Sequence, residues 1–176
     1  MYNFIIDHTL VDYGVITEPV TVAEAKQYCR VTNSVEDDLF AELITQSRQA
    51  VEKASGLSIT PKTATVWFTN AAANFQLPFG PVVSFTSLTD NNGNVIESAD
   101  YKLIGGQYPQ LNYPAFNEMV AVYRTGFTTV PKEIKIAILD QINYGYENRG
   151  MDVNDLGICE KTWRVCQRWT RTSPIL

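Results

Sequence analysis

Histidine is the scarcest reactive residue in this 176-residue chain, with His8 the only one. Cysteine is nearly as scarce: Cys29, Cys159 and Cys166 lie far apart and none sits in a CxxC arrangement. Four soft ligands cannot be gathered from that set, which excludes a His/Cys zinc site. An odd number of separated thiols fits reduced, buried cysteines in a cytosolic setting better than a disulfide framework. Charged residues make up 19%, below the usual quarter, yet 45% hydrophobic and 11% aromatic content excludes wholesale disorder. No apolar run approaches the ~18 residues of a membrane span. The N-terminal MYNFIIDHTL has neither the basic region nor the apolar stretch of a signal peptide. The expectation is a chain that is neither secreted nor membrane-inserted.

Reaction chemistry is equally thin. His8 has no serine or cysteine nucleophile beside it, so a surface or structural role is expected. Gly105 and Gly106 precede neither a helix nor a Gly-Lys-Thr element, so no phosphate cradle is indicated. The acidic run at 36–38 suits the positive end of a helix dipole and needs no metal. No catalytic residue, cofactor site or metal site is expected, and the chain reads as a non-enzyme.

What is present follows an ordered texture. One core and a single domain over 1–176 are expected from the length. Residues 1–20 read as an N-terminal extension and 21–56 as helical. TVAE at 21–24 has the form of a capping box. The next helix opens after Ser34; Leu39, Leu43, Ala50 and Ala54 form one stripe, with Phe40, Ile44 and Val51 beside it. Gly56 is a natural stop. Residues 60–129 form a β-rich insert, with strands expected at 63–69, 74–78, 82–89, 94–97, 101–104 and 118–125. DNNG at 90–93 signals a hairpin, and GGQYPQLNYP at 105–114 reads as a loop. A central helix spans 130–150, with Pro131 at its first position, and a C-terminal helix and tail span 157–176. The expected fold class is α+β: a mainly helical subunit with two N-terminal helices, a long central helix, a C-terminal helix and a β-rich insert containing a hairpin.

The C-terminal helix is two-faced. At 100° per residue, Ile158, Cys159, Trp163, Val165, Cys166 and Trp169 fall within an arc of about 160°. Lys161, Arg164, Arg168 and Arg171 fall within about 80° on the other side. Three readings of that basic stripe stand open: a solvated face, a docking surface for an acidic protein, or a contact with nucleic acid. Two tryptophans beside arginines have the composition of an interface anchor, and equally of a core.

The order of motifs carries a resemblance. ITEPVTVAEAKQYCR at 16–30 resembles the opening of the head–tail connector family of tailed bacteriophages and prophages, whose members typically begin with an EPVTLAEAK-like strand-to-helix step. An acidic turn, a long helix and a glycine step follow in that family, as EDDL at 36–39 and ASGL at 54–57 do here. Its LPxxPV element and hairpin match LPFGPV at 77–82 and DNNGN at 90–94. Its GY…VPxxIxxAIL…YENR helix matches TGF at 125–127, VPKEIKIAIL at 130–139 and YENR at 146–149.

The resemblance implies a structural virion protein at the head–tail junction, made in the bacterial host cytoplasm. Such adaptors assemble as a ring, usually of about twelve copies, beneath the portal protein. They close the DNA-filled head and present a platform for the next tail or stopper protein. Genomic DNA would pass through the lumen without specific binding, and neither membrane nor cofactor is involved. On this reading Lys161, Trp163, Arg164, Arg168, Trp169 and Arg171 meet the portal. Tyr108 and Tyr113 line the channel or face the next tail protein. The alternative is a small nucleic-acid-binding or regulatory module using the basic helix. The net charge of −5 favours the first reading, since attraction to phosphates would retard DNA passage. That charge is also polarised: residues 1–60 hold nine acidic against four basic groups, and residues 130–176 hold six against seven.

Overall fold

A computed structural model describes residues 4–70, 74–113, 117–149 and 157–170. They divide into two compact units, each built from separate stretches of sequence. A β unit takes the N-terminal residues up to Ile16 together with Thr60–Phe127. A helical unit takes Thr17–Ile59 and Thr128–Thr170.

The β unit holds seven strands: β1 Phe4–Asp12, β2 Lys62–Asn70, β3 Asn74–Gln76, β4 Val82–Asp90, β5 Lys102–Ile104, β6 Gln110–Asn112 and β7 Asn117–Thr125. They form two antiparallel sheets, ordered β1-β2-β7-β4 and β3-β6-β5. Period-two alternation explains β2: Ala64, Val66 and Phe68 are buried, while Thr63, Thr65, Trp67 and Thr69 take the other face. The buried face packs with Phe75, Leu77, Leu88, Leu111, Met119 and Tyr123 into one core. Phe68 stacks on Phe75 with ring centroids 3.8 Å apart. Gly126, at φ +133°, turns the chain out of β7. A Cβ there would meet the Thr60 carbonyl oxygen at 2.8 Å, so the position has room only for glycine.

The helical unit holds α1 Val22–Cys29, α2 Asp37–Ser55, α3 Lys132–Glu147 and α4 Glu160–Trp169. The Thr21 hydroxyl accepts from the Glu24 amide at 3.2 Å, and Glu24 accepts from the Thr21 amide at 2.8 Å, closing the capping box. Phe40, Ile44 and Val51 of α2 are fully buried, as are Ile134, Ala137, Ile138 and Ile142 of α3. Gly56 ends α2 in the left-handed region at φ 68°.

These elements correct the expected fold class. The protein is not a mainly helical subunit with an insert: among the described residues there are four helices and seven strands in two sheets, and the strands form a unit with its own core. Phe4–Asp12, read as an extension, is strand β1, paired along its length with β2. Its alternation is interrupted between Ile5 and Asp7, which hides the strand period. The loop at 105–114 contains β6, and 94–97 supplies only a bridge from Val95 to Thr89. At 90–93 the chain does turn. The Asp90 carboxylate accepts from the amides of Asn92 and Asn94 at 2.9 and 2.8 Å, but the true ladder partner of β4 is β7. Pro131 precedes α3 as its cap, with ψ 142°, and α2 begins at Asp37 without a side-chain cap.

Candidate functional site

Helix α4 is anchored from its inner face. Thr162 is fully buried and donates to the Ala137 carbonyl of α3 at 2.8 Å. Gln141 of α3 clamps the start of α4 twice: its oxygen accepts from the Cys159 amide at 2.9 Å, and its nitrogen donates to the Gly157 carbonyl at 3.1 Å. Cys166 is buried against α2. Burial pushes its thiol up to about 11, so it is an inert core group near neutral pH.

The outer face is less simply basic than the sequence pattern implies. Lys161 lies 3.8 Å from Asp140, Arg164 pairs with Glu160 at 2.5 Å, and Arg168 pairs with Glu133. The Trp169 indole donates to Glu133 at 3.0 Å. Each cation of the stripe among the described residues therefore has an acid beside it, two of them supplied by α3. Arg171 lies outside the described residues. Trp163, assigned by periodicity to the apolar arc, is 42% exposed, and Ile136 of α3 is 52% exposed. Tyr28 of α1 is also exposed and donates to Asp140 at 2.8 Å. Burial, then this hydrogen bond, raises the phenol to about 12. Between α1 and α3 a cleft of about 410 Å³ is lined by Val20, Gln27, Tyr28, Lys135 and Leu139. Trp163 of α4, Ile136 of α3 and Tyr28 of α1 are thus large side chains left exposed on three helices of the unit, a composition suited to recognition. Pattern analysis singled out Trp163 but missed Gln141, Thr162, Tyr28 and Ile136. A polar Gln141 on the buried stripe of α3 was the one readable signal for the clamp.

The two tyrosines of the expected channel loop sit in the β unit, half-buried. The Tyr108 ring lies over Gly80, where a Cβ would be 2.5 Å from it, and Tyr113 packs on the unit's core. The exposed parts of that region are 102–107 and Gln110. His8 is exposed, its ring 4.6 Å from Phe79. The acidic run is held by side chains: Glu36 accepts from Tyr146 at 2.8 Å and from Arg149 at 2.5 Å, and Asp37 pairs with Lys26 at 2.5 Å. No cluster of three or more potential metal ligands occurs among the described residues. Nor is any described helix long and apolar enough to cross a membrane.

No family model and no curated protein matches the chain. Solved structures do: the fold is similar to that of a chain in the virion of a native gene transfer agent particle. The TM-score is 0.64 at 19% identity, covering 96% of this chain and 97% of that one. More particularly, it is similar to a chain in the neck of the empty particle computed with C6 symmetry. There the TM-score is 0.65 at 18% identity, over 96% and 97% of the two chains. A chain in the neck of the native particle computed with C12 symmetry gives 0.57 at 18% identity, over 93% and 98%. At such identities the likeness is one of fold.

Proposed function

We propose that this chain is a structural, non-enzymatic subunit of the neck of a phage-like particle, present as one copy in a ring that joins head to tail. The observation that carries the reading is the whole-chain likeness to a neck chain from a particle computed with C6 symmetry, over 96% of this chain and 97% of that one. The finer reading is a connector beneath the portal that closes the filled head and offers a platform to the next tail protein. It is supported by the order of sequence motifs from residue 16 to 149 and by the outer face of α3 and α4. There Trp163 supplies an aromatic anchor, and Lys161, Arg164 and Arg168 can exchange their own acids for those of a portal surface. Net charge −5 suits a conduit through which DNA passes unretained. The pairing of the α4 cations with Asp140, Glu160 and Glu133 weighs against a nucleic-acid-binding module, whose phosphate contacts need free cations.

The test is binding to purified portal rings. Removing everything after Gly157 is unsuitable, because Thr162 and Cys166 belong to the helical core. A Trp163→Ala, Arg164→Glu variant keeps that core and should bind portal at least about tenfold more weakly, a loss of ~1.4 kcal/mol or more. Unchanged affinity would reject α4 as the portal-facing element.

A further inference from the structure

Among the described residues, two strands of the β unit combine an edge with no paired strand and exposed apolar side chains. Sheets end at β1, β4, β3 and β5. The outer edge of β4 is closed by its own chain: Ile96 donates to the Leu88 carbonyl at 2.8 Å and Val95 bridges to Thr89. Strand β3 keeps its single apolar residue, Phe75, buried. Strand β1, in contrast, exposes Ile6 (50%) and Val11 (63%), and β5 exposes Leu103 (38%) and Ile104 (53%). Long apolar edges in monomers are ordinarily blunted with lysine or proline. Within Phe4–Asp12 there is no lysine, arginine or proline, and the only irregularity lies between Ile5 and Asp7. The remaining six residues form a regular edge with no strand on its outer side among the described residues.

The two edges lie on opposite sides of the β unit. Phe75 of β3 stacks on Phe68 of β2, while Tyr101, next to β5, rests on Phe85 of β4 at 5.5 Å. The sheet β3-β6-β5 therefore runs across the larger sheet from the β2 side to the β4 side, and β5 ends away from β1. Their charges are complementary: the only charged residues of β1 are Asp7 and Asp12, and β5 begins with Lys102.

We propose that β1 of one copy of this chain receives β5 of the next, adding it as a strand to the larger sheet. In antiparallel register Lys102 then lies opposite Asp12, Leu103 opposite Val11 and Ile104 opposite the half-exposed Leu10. Backbone pairing supplies affinity and the alternate side chains supply register. Because the two edges differ and face opposite ways, the contact is head to tail, which is the form a cyclic ring requires. The inference rests on the ring reading above and identifies its subunit contact.

Edge-blocking variants test it by analytical ultracentrifugation up to about millimolar concentration. One carries Ile6→Lys and Val11→Lys; the other carries Leu103→Lys and Ile104→Lys. All four side chains are exposed, so unchanged circular dichroism and thermal melting are expected of both. Wild-type chain should associate. Each variant alone should lose association at least about tenfold. An equimolar mixture of the two should form heterodimers, through the one intact β1 edge and the one intact β5 edge, and nothing larger. Lys102→Glu should weaken association and Asp12→Lys in the same chain should restore it. Rings that persist with both edges blocked would overturn the strand contact while leaving the ring reading intact. A wild-type chain that never associates, alone or on portal, would overturn both.

Discussion

At the scale of single residues, the most consequential group is Arg48, whose side chain is 5% exposed. Burial opposes its charge, but hydrogen bonds from its guanidinium to Glu18 at 2.8 and 3.0 Å and to Glu52 at 2.9 Å outweigh that penalty and hold it protonated. Glu52 in turn accepts from the Ile59 amide at 2.7 Å, tying the end of α2 to the chain that leaves it. Arg48→Ala removes the cation shared by Glu18 and Glu52 and should cost about 3 kcal/mol, read as a lower urea midpoint. A midpoint unchanged from wild type would show that the cluster is dispensable. Glu36 is a second case. The Tyr146 hydroxyl first, and then Arg149, hold its carboxyl below the ordinary carboxylate range. A depressed carboxylate contributes stability that is complete above its unfolded value and is lost as pH falls through its folded value. Tyr146→Phe keeps the ring stacked on Phe40 but removes the leading hydrogen bond. The Glu36 titration followed by NMR should therefore move to higher pH, and the acid loss with it. A titration that stays in place contradicts the assignment.

At the scale of elements, legibility follows how local the causes are. The α1 capping box, the glycine stop of α2 and the alternation of β2 are short-range patterns, and all three are visible in sequence. Strand β6 is three residues long with only Leu111 in the core, too short to display a period. Strand β1 was hidden because it is an edge whose side chains are mostly exposed, so no alternation of burial marks it. The basic stripe of α4 was legible, but its neutralisation was only partly so. Glu160 and Arg164 are an i, i+4 pair on one helix, whereas Glu133 and Asp140 come from α3 by tertiary packing. Trp163 was misassigned for a related reason: periodicity gives the angle of a face, not how far its neighbour covers it. The close approach after β7 gives an element-scale prediction. Gly126→Ala forces a Cβ into the Thr60 carbonyl and a left-handed φ on alanine, and should destabilise the β unit by about 1–3 kcal/mol. Thermal melting reads this. Wild-type stability in the variant would show that the turn adapts.

At the scale of the whole molecule, the described residues form two compact units, each assembled from non-contiguous stretches. The charge polarity gains a structural meaning from this division. The acidic excess of residues 1–60 includes β1, an edge strand whose charged residues are both aspartates, and the locally basic C-terminal stretch includes α4, on which Trp163 is exposed. On the proposed reading, the two differing edges of the β unit serve contacts between copies of the chain, and the outer face of α4 serves contact with a different protein. The most direct measurement is the mass and negative-stain image of the purified chain mixed with portal rings. The account predicts a discrete complex in which one further ring of this chain stacks coaxially on the portal. A chain that stays monomeric and unbound in the presence of portal would contradict it.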